Sequence, residues 1–151
     1  MADLNFEEER INFTPVICYI DYINLHFTNY LKSNFKDITP RDFTYLANIL
    51  YHPNCSQRQL ADLLFVSESN VTQIVKKLEK NGFVTRTVDE SNKSCKIINL
   101  TDKGKLTIFS LLKIIYEWEA KFFEEYEEDD VLKFKKMIYD YSQKSYPFHN
   151  L

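Results

Sequence analysis

The sequence is poor in the residues that break or staple chains. Two glycines and four prolines among 151 residues leave few tight turns, so helix is expected to dominate. The three cysteines, Cys18, Cys55 and Cys95, are odd in number and lack any CxxC spacing, which points to reduced intracellular thiols rather than a disulfide framework. No N-terminal stretch joins a basic start, an apolar middle and a small-residue cleavage site, so no signal peptide and a cytoplasmic location are expected. The longest uncharged run, Phe43 to Gln57, has 15 residues and contains Pro53 and Asn54. A membrane helix needs about 20 mostly apolar residues, so no membrane partner is expected. Catalytic patterns are missing too. His26, His52 and His149 have no metal-ligand spacing with the cysteines, and there is no nucleophile elbow or P-loop. The acids Glu124, Glu125, Glu127, Glu128, Asp129 and Asp130 read as a solvated turn and a helix N-terminus. The expectation is therefore a protein without enzyme activity, cofactor or metal.

What is present is ordinary for a soluble domain: 44% hydrophobic and 27% charged residues, enough for one real core. The net charge of −3 is unevenly spread. Ser56 to Leu106 holds nine basic and six acidic residues, whereas residues 1–55 hold four and seven, and residues 107–151 six and nine. A basic middle between acidic ends suits a scaffold that presents one positive surface, although chance unevenness gives the same numbers.

Apolar residues Phe13, Val16, Ile17, Ile20, Ile23, Phe27, Tyr30 and Leu31 recur at helical spacing. This helix starts at Thr14-Pro15, or earlier if the acids Glu7, Glu8 and Glu9 form its first turn. Thr39-Pro40-Arg41-Asp42 is a helix start followed by Phe43, Leu46, Ala47, Ile49 and Leu50, with an end near Pro53. Ser56-Gln57-Arg58-Gln59 is a capping box before a short helix with Leu60, Ala61, Leu63, Leu64 and Phe65. Ser67 caps the next helix, whose expected buried stripe is Val71, Ile74, Val75 and Leu78, and Asn81-Gly82 stops it. Phe83 to Val88 and Cys95 to Leu100 read as a hairpin. Thr101-Asp102 starts a long helix towards Tyr126, and Asp129-Asp130 a last one to about Ser142.

Two short helices joined by the turn Phe65-Val66-Ser67, then a hairpin, make a helix-turn-helix with a wing. On a wheel, the second helix of this pair places Ser69, Gln73, Lys76 and Lys80 opposite the apolar stripe, with Asn70, Thr72 and Lys77 flanking. Amides and hydroxyls near the start suit base edges in a major groove, and the lysines suit phosphates. An ordinary solvated face is the plainer alternative. The hairpin offers Arg86, Lys93 and Lys96 for phosphates or the minor groove, or is a plain polar turn.

Ser56-Gln57 with Leu60-Ala61, then Val66-Ser67, Val71-Thr72, Lys77-Leu78-Glu79, Gly82-Phe83-Val84, Arg86, Leu100-Thr101 and Lys103-Gly104 together resemble the signature of the MarR family. Thr39-Pro40 with Phe43 and Leu46 resembles that family's second helix. The resemblance implies a mainly α fold with a small β-hairpin wing: a winged helix-turn-helix at 39–101 between dimerisation helices at 1–38 and 102–151. It implies a homodimeric transcription regulator, expected to be a ligand-responsive repressor, that binds double-stranded DNA at a palindromic operator. The implied DNA-binding residues are Ser67, Ser69, Asn70, Thr72, Gln73, Lys76, Lys77, Arg86, Lys93 and Lys96. The crowd of apolar residues from Leu106 to Trp118, too many for one stripe, agrees with a dimer face. One departure stands out: the family's Asp-x-x-Asp-Arg-Arg wing here retains Asp89 but has Asn92 and Lys93-Ser94. Lysine lacks the planar fork of arginine, so a minor-groove contact should be weaker.

Relatives of this type bind small, often phenolic, anions between the dimer helices and the DNA head. By that likeness Tyr22, His26, Phe27, Tyr30 and Tyr45 are candidates for a small aromatic or anionic effector, with core packing as the alternative. Cys18, followed by Tyr19 and Tyr22, loosely resembles the sensor cysteine of the peroxide-sensing branch, against which stands inert packing. A protein-interaction module on the same scaffold is the remaining alternative.

Overall fold

The computed structural model describes residues 11, 13–90, 92–93 and 95–144. Glu7, Glu8, Glu9, Ser94 and His149, on which some of the expectations above fall, lie outside the described residues. The chain divides into two compact units, Met1–Lys105 and Leu106–Leu151.

In the first unit, α1 (Val16–Asn34) starts after Pro15, as the Thr14-Pro15 signal leads one to expect. Its apolar face is largely uncovered within the chain: Leu31 is buried, whereas Phe13, Val16, Ile17, Ile23 and Tyr30 are exposed. The next two helices begin where the local code says they should. At α2 (Pro40–Tyr51) the Asp42 amide donates to Thr39 Oγ1 at 3.2 Å and the Thr39 amide to Asp42 Oδ2 at 2.9 Å. At α3 (Gln57–Leu64) the Gln59 amide donates to Ser56 Oγ at 3.1 Å and the Ser56 amide to Gln59 Oε1 at 2.8 Å. These reciprocal bonds satisfy amides that have no partner inside the helix.

Phe65 turns the chain out of α3 in the left-handed conformation, φ 53°. A bulky side chain is uncommon there, and it stands exposed. After the turn, Ser67 Oγ accepts from the Asn70 amide and opens α4 (Glu68–Lys80). Gly82, at φ 76°, closes it, its amide donating to Glu79 O and that of Phe83 to Leu78 O. The fully buried positions of α4 are Val71, Val75 and Leu78; Ile74, expected in the stripe, is half-buried at its edge. Leu63, read with the apolar residues of α3, is likewise partly exposed.

The hairpin forms as expected, with β2 (Val84–Val88) antiparallel to β3 (Lys96–Leu100) from the Val84–Leu100 pair to the Val88–Lys96 pair. The sheet also has a third strand, which the sequence pattern does not announce. Cys55–Ser56, here β1, pairs with Ile98 and Ile97 on the free edge of β3. Two residues are too few to show alternation. Asn54, at φ 61°, reinforces the junction: its amide donates to Asn99 Oδ1 and Asn99 Nδ2 donates to Asn54 Oδ1. Leu46, Ile49, Leu60, Ala61, Val71, Val75, Leu78, Phe83, Val84 and Ile98 are buried and form the core of this unit.

Thr101 joins the sheet to α5 (Asp102–Phe123). Its hydroxyl donates to Gly82 O at 2.6 Å and accepts from the Gly104 amide at 3.0 Å. Gly104 lies against the chain: a β-carbon there would meet Phe83 O at 2.0 Å. The second unit holds the rest of α5 and α6 (Glu128–Lys144). Phe123 packs near Phe134 with ring centroids 5.8 Å apart, and Lys135 reaches Glu119 at 3.4 Å. Phe109, Tyr116, Trp118, Phe122, Tyr126, Leu132, Phe134, Met137 and Tyr139 are exposed.

Candidate nucleic-acid interface

The amphipathic pattern of α4 buries one side and turns the other outward, and the polar residues on the outward side fall into two groups. Gln73, Lys76 and Lys80 lie on this side, and none has a side-chain partner among the described residues. The others are tied into the protein. Thr72 Oγ1 donates to Glu68 O at 2.8 Å and accepts from Gln57 Nε2 at 2.7 Å. Its only proton is therefore spent inside the helix. Ser69 Oγ shares a hydrogen bond of 2.9 Å with Ser67 Oγ, which also caps the helix. Asn70 accepts at Oδ1 from the Tyr45 hydroxyl at 3.2 Å.

Lys77 is the residue whose placement departs most from a free phosphate contact. Its Nζ lies 2.6 Å from Asp42 Oδ2, and the Asp42 side chain is 1% exposed against 44% for Lys77. Burial alone would push the Asp42 carboxyl up. Lys77, together with the Thr39 amide and hydroxyl, outweighs burial and brings it below its ordinary value. Sequence reasoning read Asp42 only as part of a helix start. Its second role has no local signal, because the partner lies 35 positions away.

Arg86 on β2 is similarly engaged. Its guanidinium binds Glu79 on α4 through Nε, at 3.0 Å, and through its terminal nitrogen. Arg86 holds the Glu79 carboxyl below its usual range, with a smaller contribution from Lys96. Glu79, the one acid that interrupts the basic face of α4 after Glu68, thus fastens the helix to the wing. A signal for it existed: a lone acid in that position, seven residues before an arginine across the Asn81-Gly82 stop. Lys93 and Lys96 stand exposed on the hairpin. Gln73, Lys76 and Lys80 on α4 and the exposed Lys93 and Lys96 on the hairpin thus lie on the two parts of a winged helix-turn-helix that project from its core.

Tyr22 and His26 meet edge to face at 4.5 Å on α1, and Phe27 packs on Phe43 at 5.1 Å. Tyr30 lies 6.3 Å from Phe35, and Tyr45 is buried beneath α4. Cys18 is exposed, whereas Cys55 is buried and its thiol is pushed up by that burial. Among the described residues no three His, Cys, Asp or Glu side chains are grouped so as to hold a metal ion. No helix is long and apolar enough to cross a membrane, again among the described residues.

Fold and surface together define a winged helix-turn-helix protein. Residues 38–96 match the MarR family. Over 92 residues it is 33% identical to the HTH-type transcriptional regulator BilQ of Clostridium symbiosum, the match covering 61% of this chain and 61% of that protein. The chain therefore spans about three-fifths of that relative's length. It is 28% identical over 138 residues to the HTH-type transcriptional regulator SarZ of Staphylococcus aureus, covering 85% of this chain and 92% of SarZ. The crystal structure of Streptococcus pneumoniae FabT in complex with DNA superposes with a TM-score of 0.74 at 21% identity, covering 93% and 98% of the two chains.

Proposed function

We propose that this protein is a sequence-specific transcription regulator that binds double-stranded DNA as a homodimer, with α4 in the major groove and the hairpin against the flanking backbone. The observation that carries the reading is the strip Gln73, Lys76 and Lys80 on the outward face of α4, which has no side-chain partner among the described residues. The amide can bond base edges, and the lysines can replace counterions on phosphates. Ser67, Ser69, Asn70 and the wing cations Lys93 and Lys96 complete the surface. Thr72, Lys77 and Arg86 serve it mainly by holding α4 in place. The FabT structure of the same fold was solved in complex with DNA, which supports the reading of this chain as a DNA binder.

Support for the homodimer comes from the uncovered apolar residues of α1, α5 and α6, which exceed what a lone chain leaves to water. A two-fold dimer presents two copies of α4 and so selects a palindromic site, with half-sites about one helical turn or a multiple apart. Such a complex on a promoter represses by occlusion. A small aromatic or anionic effector bound near Tyr22 and His26 on α1 would modulate it.

The test is selection of bound duplexes from a random pool, followed by titration across salt. A DNA reader yields an inverted repeat and an affinity that falls steeply with salt. Recovery of no motif, with binding insensitive to salt, would refute the proposal and favour a protein-interaction module.

A further inference from the structure

Asn70 and Lys77 lie seven residues apart on α4, two turns along one side, and both are held by α2. Asp42 and Tyr45, three residues apart on α2, supply the two contacts. The side chains of α4 that face α2 are thus pinned at two heights, which fixes the rotation of the helix about its axis. The contact at Asn70 does more than position it. The Tyr45 hydroxyl donates to Asn70 Oδ1, so the amide is oriented with its oxygen inward. Among the described residues the Asn70 side-chain nitrogen has no hydrogen-bond partner, and it is not fully buried, which leaves it available as a donor.

We propose that Tyr45 is a specificity-determining residue acting through Asn70: it locks the amide as an outward donor, so that the base facing Asn70 must offer an acceptor. Guanine, thymine and adenine each present an acceptor in the major groove, whereas cytosine presents only its amino donor. A free asparagine would turn its oxygen to that amino group. The locked one meets cytosine donor against donor and rejects it. The inference rests on the reading of α4 as the DNA-contacting helix, and it assigns Tyr45 a role distinct from lining an effector site.

Tyr45→Phe removes the hydroxyl and keeps the buried ring. The experiment measures affinity of the full-length chain for a selected duplex and for its variants with each base at every half-site position. The proteins compared are wild type, Tyr45→Phe, Asn70→Ala and the double variant, with circular dichroism confirming that each is folded. Wild type should disfavour cytosine at one position by about five- to tenfold, the scale set by a single well-formed hydrogen bond to a base. Tyr45→Phe should reduce that to about twofold, and Asn70→Ala should abolish it. In the Asn70→Ala background the Tyr45 substitution should have no further effect on base preference. Cytosine rejection retained in Tyr45→Phe, or a Tyr45 effect that persists without Asn70, would overturn the inference while leaving DNA binding intact. Absence of salt-dependent duplex binding by the wild type would instead remove the underlying reading, and this inference with it.

Discussion

Removing Lys77 should weaken the fold more than it weakens any charge contact with DNA. Asp42 Oδ2 accepts from Thr39 N at 2.9 Å, Thr39 Oγ1 at 2.7 Å and Lys77 Nζ at 2.6 Å, while Oδ1 is buried without a partner. Lys77→Met leaves a buried carboxylate with two neutral donors and no counter-charge. Breaking a fully buried pair costs about 3–5 kcal/mol and an exposed one up to about 1 kcal/mol. Lys77 is 44% exposed, so water takes over part of its role, and the expected cost is about 2 kcal/mol. For a chain of this size that lowers the melting temperature by about 4–8 °C. Asp42→Asn retains an acceptor for the Thr39 amide and should cost about 1 kcal/mol. The double variant should cost about 1 kcal/mol less than the two single costs combined, because the partners are coupled. Urea unfolding at one fixed protein concentration reads all three, since association shifts apparent stability. The pH dependence has a definite sign. The Asp42 carboxyl is depressed in the folded chain, so its stabilisation is present above the ordinary value of 3.8 and is lost as pH falls through the folded value. The gap between wild type and Lys77→Met should therefore be full at neutral pH and narrow in acid. A Lys77→Met protein within about 0.5 kcal/mol of wild type, with no coupling to Asp42, would refute the reasoning.

Lys76→Ala, which removes two lysines per dimer, should reduce the salt slope of DNA binding by about 1.8, whereas Lys77→Ala should change it by clearly less, because the Lys77 ammonium is held by Asp42. Isothermal titration or fluorescence anisotropy across salt separates the two. Gly104→Ala should destabilise by about 3 kcal/mol or prevent folding, since a β-carbon would fall 2.0 Å from the Phe83 carbonyl oxygen. Thermal melts measure it, and a tolerated alanine would contradict the close approach. Phe65→Gly should stabilise by about 0.5–1 kcal/mol in the same melts, as glycine adopts the left-handed backbone without strain at the cost of a looser unfolded chain. Light scattering should give twice the chain mass of 18.1 kDa, and Trp118→Lys with Phe122→Lys should shift it towards the mass of one chain.

Most of the helical framework is legible in the sequence because it is written locally. Capping acts over three residues, so Thr39 with Asp42, Ser56 with Gln59, and Ser67 announce their own helices. The stop at Gly82 follows from its freedom to take a positive φ. The hairpin follows from two β-rich runs about a polar turn, and the wheel of α4 gives the right outward side. What the wheel cannot give is whether an outward-leaning group is already occupied. Thr72, Lys77 and Arg86 carry the same side chains as a free reading surface would, yet each meets a partner within the chain.

The order of the elements, their starts and stops, and the side that α4 turns away from the core were thus determined by residues three or four positions apart, through hydrogen bonds and apolar spacing that need no distant neighbour. Tertiary structure alone decided the third strand, where Cys55 finds Ile98, and the division of α4 into engaged and free groups. The strand pairing spans 43 positions, and the engagement of α4 depends on contacts across 25 and 35 positions, from Tyr45 to Asn70 and from Asp42 to Lys77. A pairing of that range is set by how helices pack, not by the spacing of residues along any one of them.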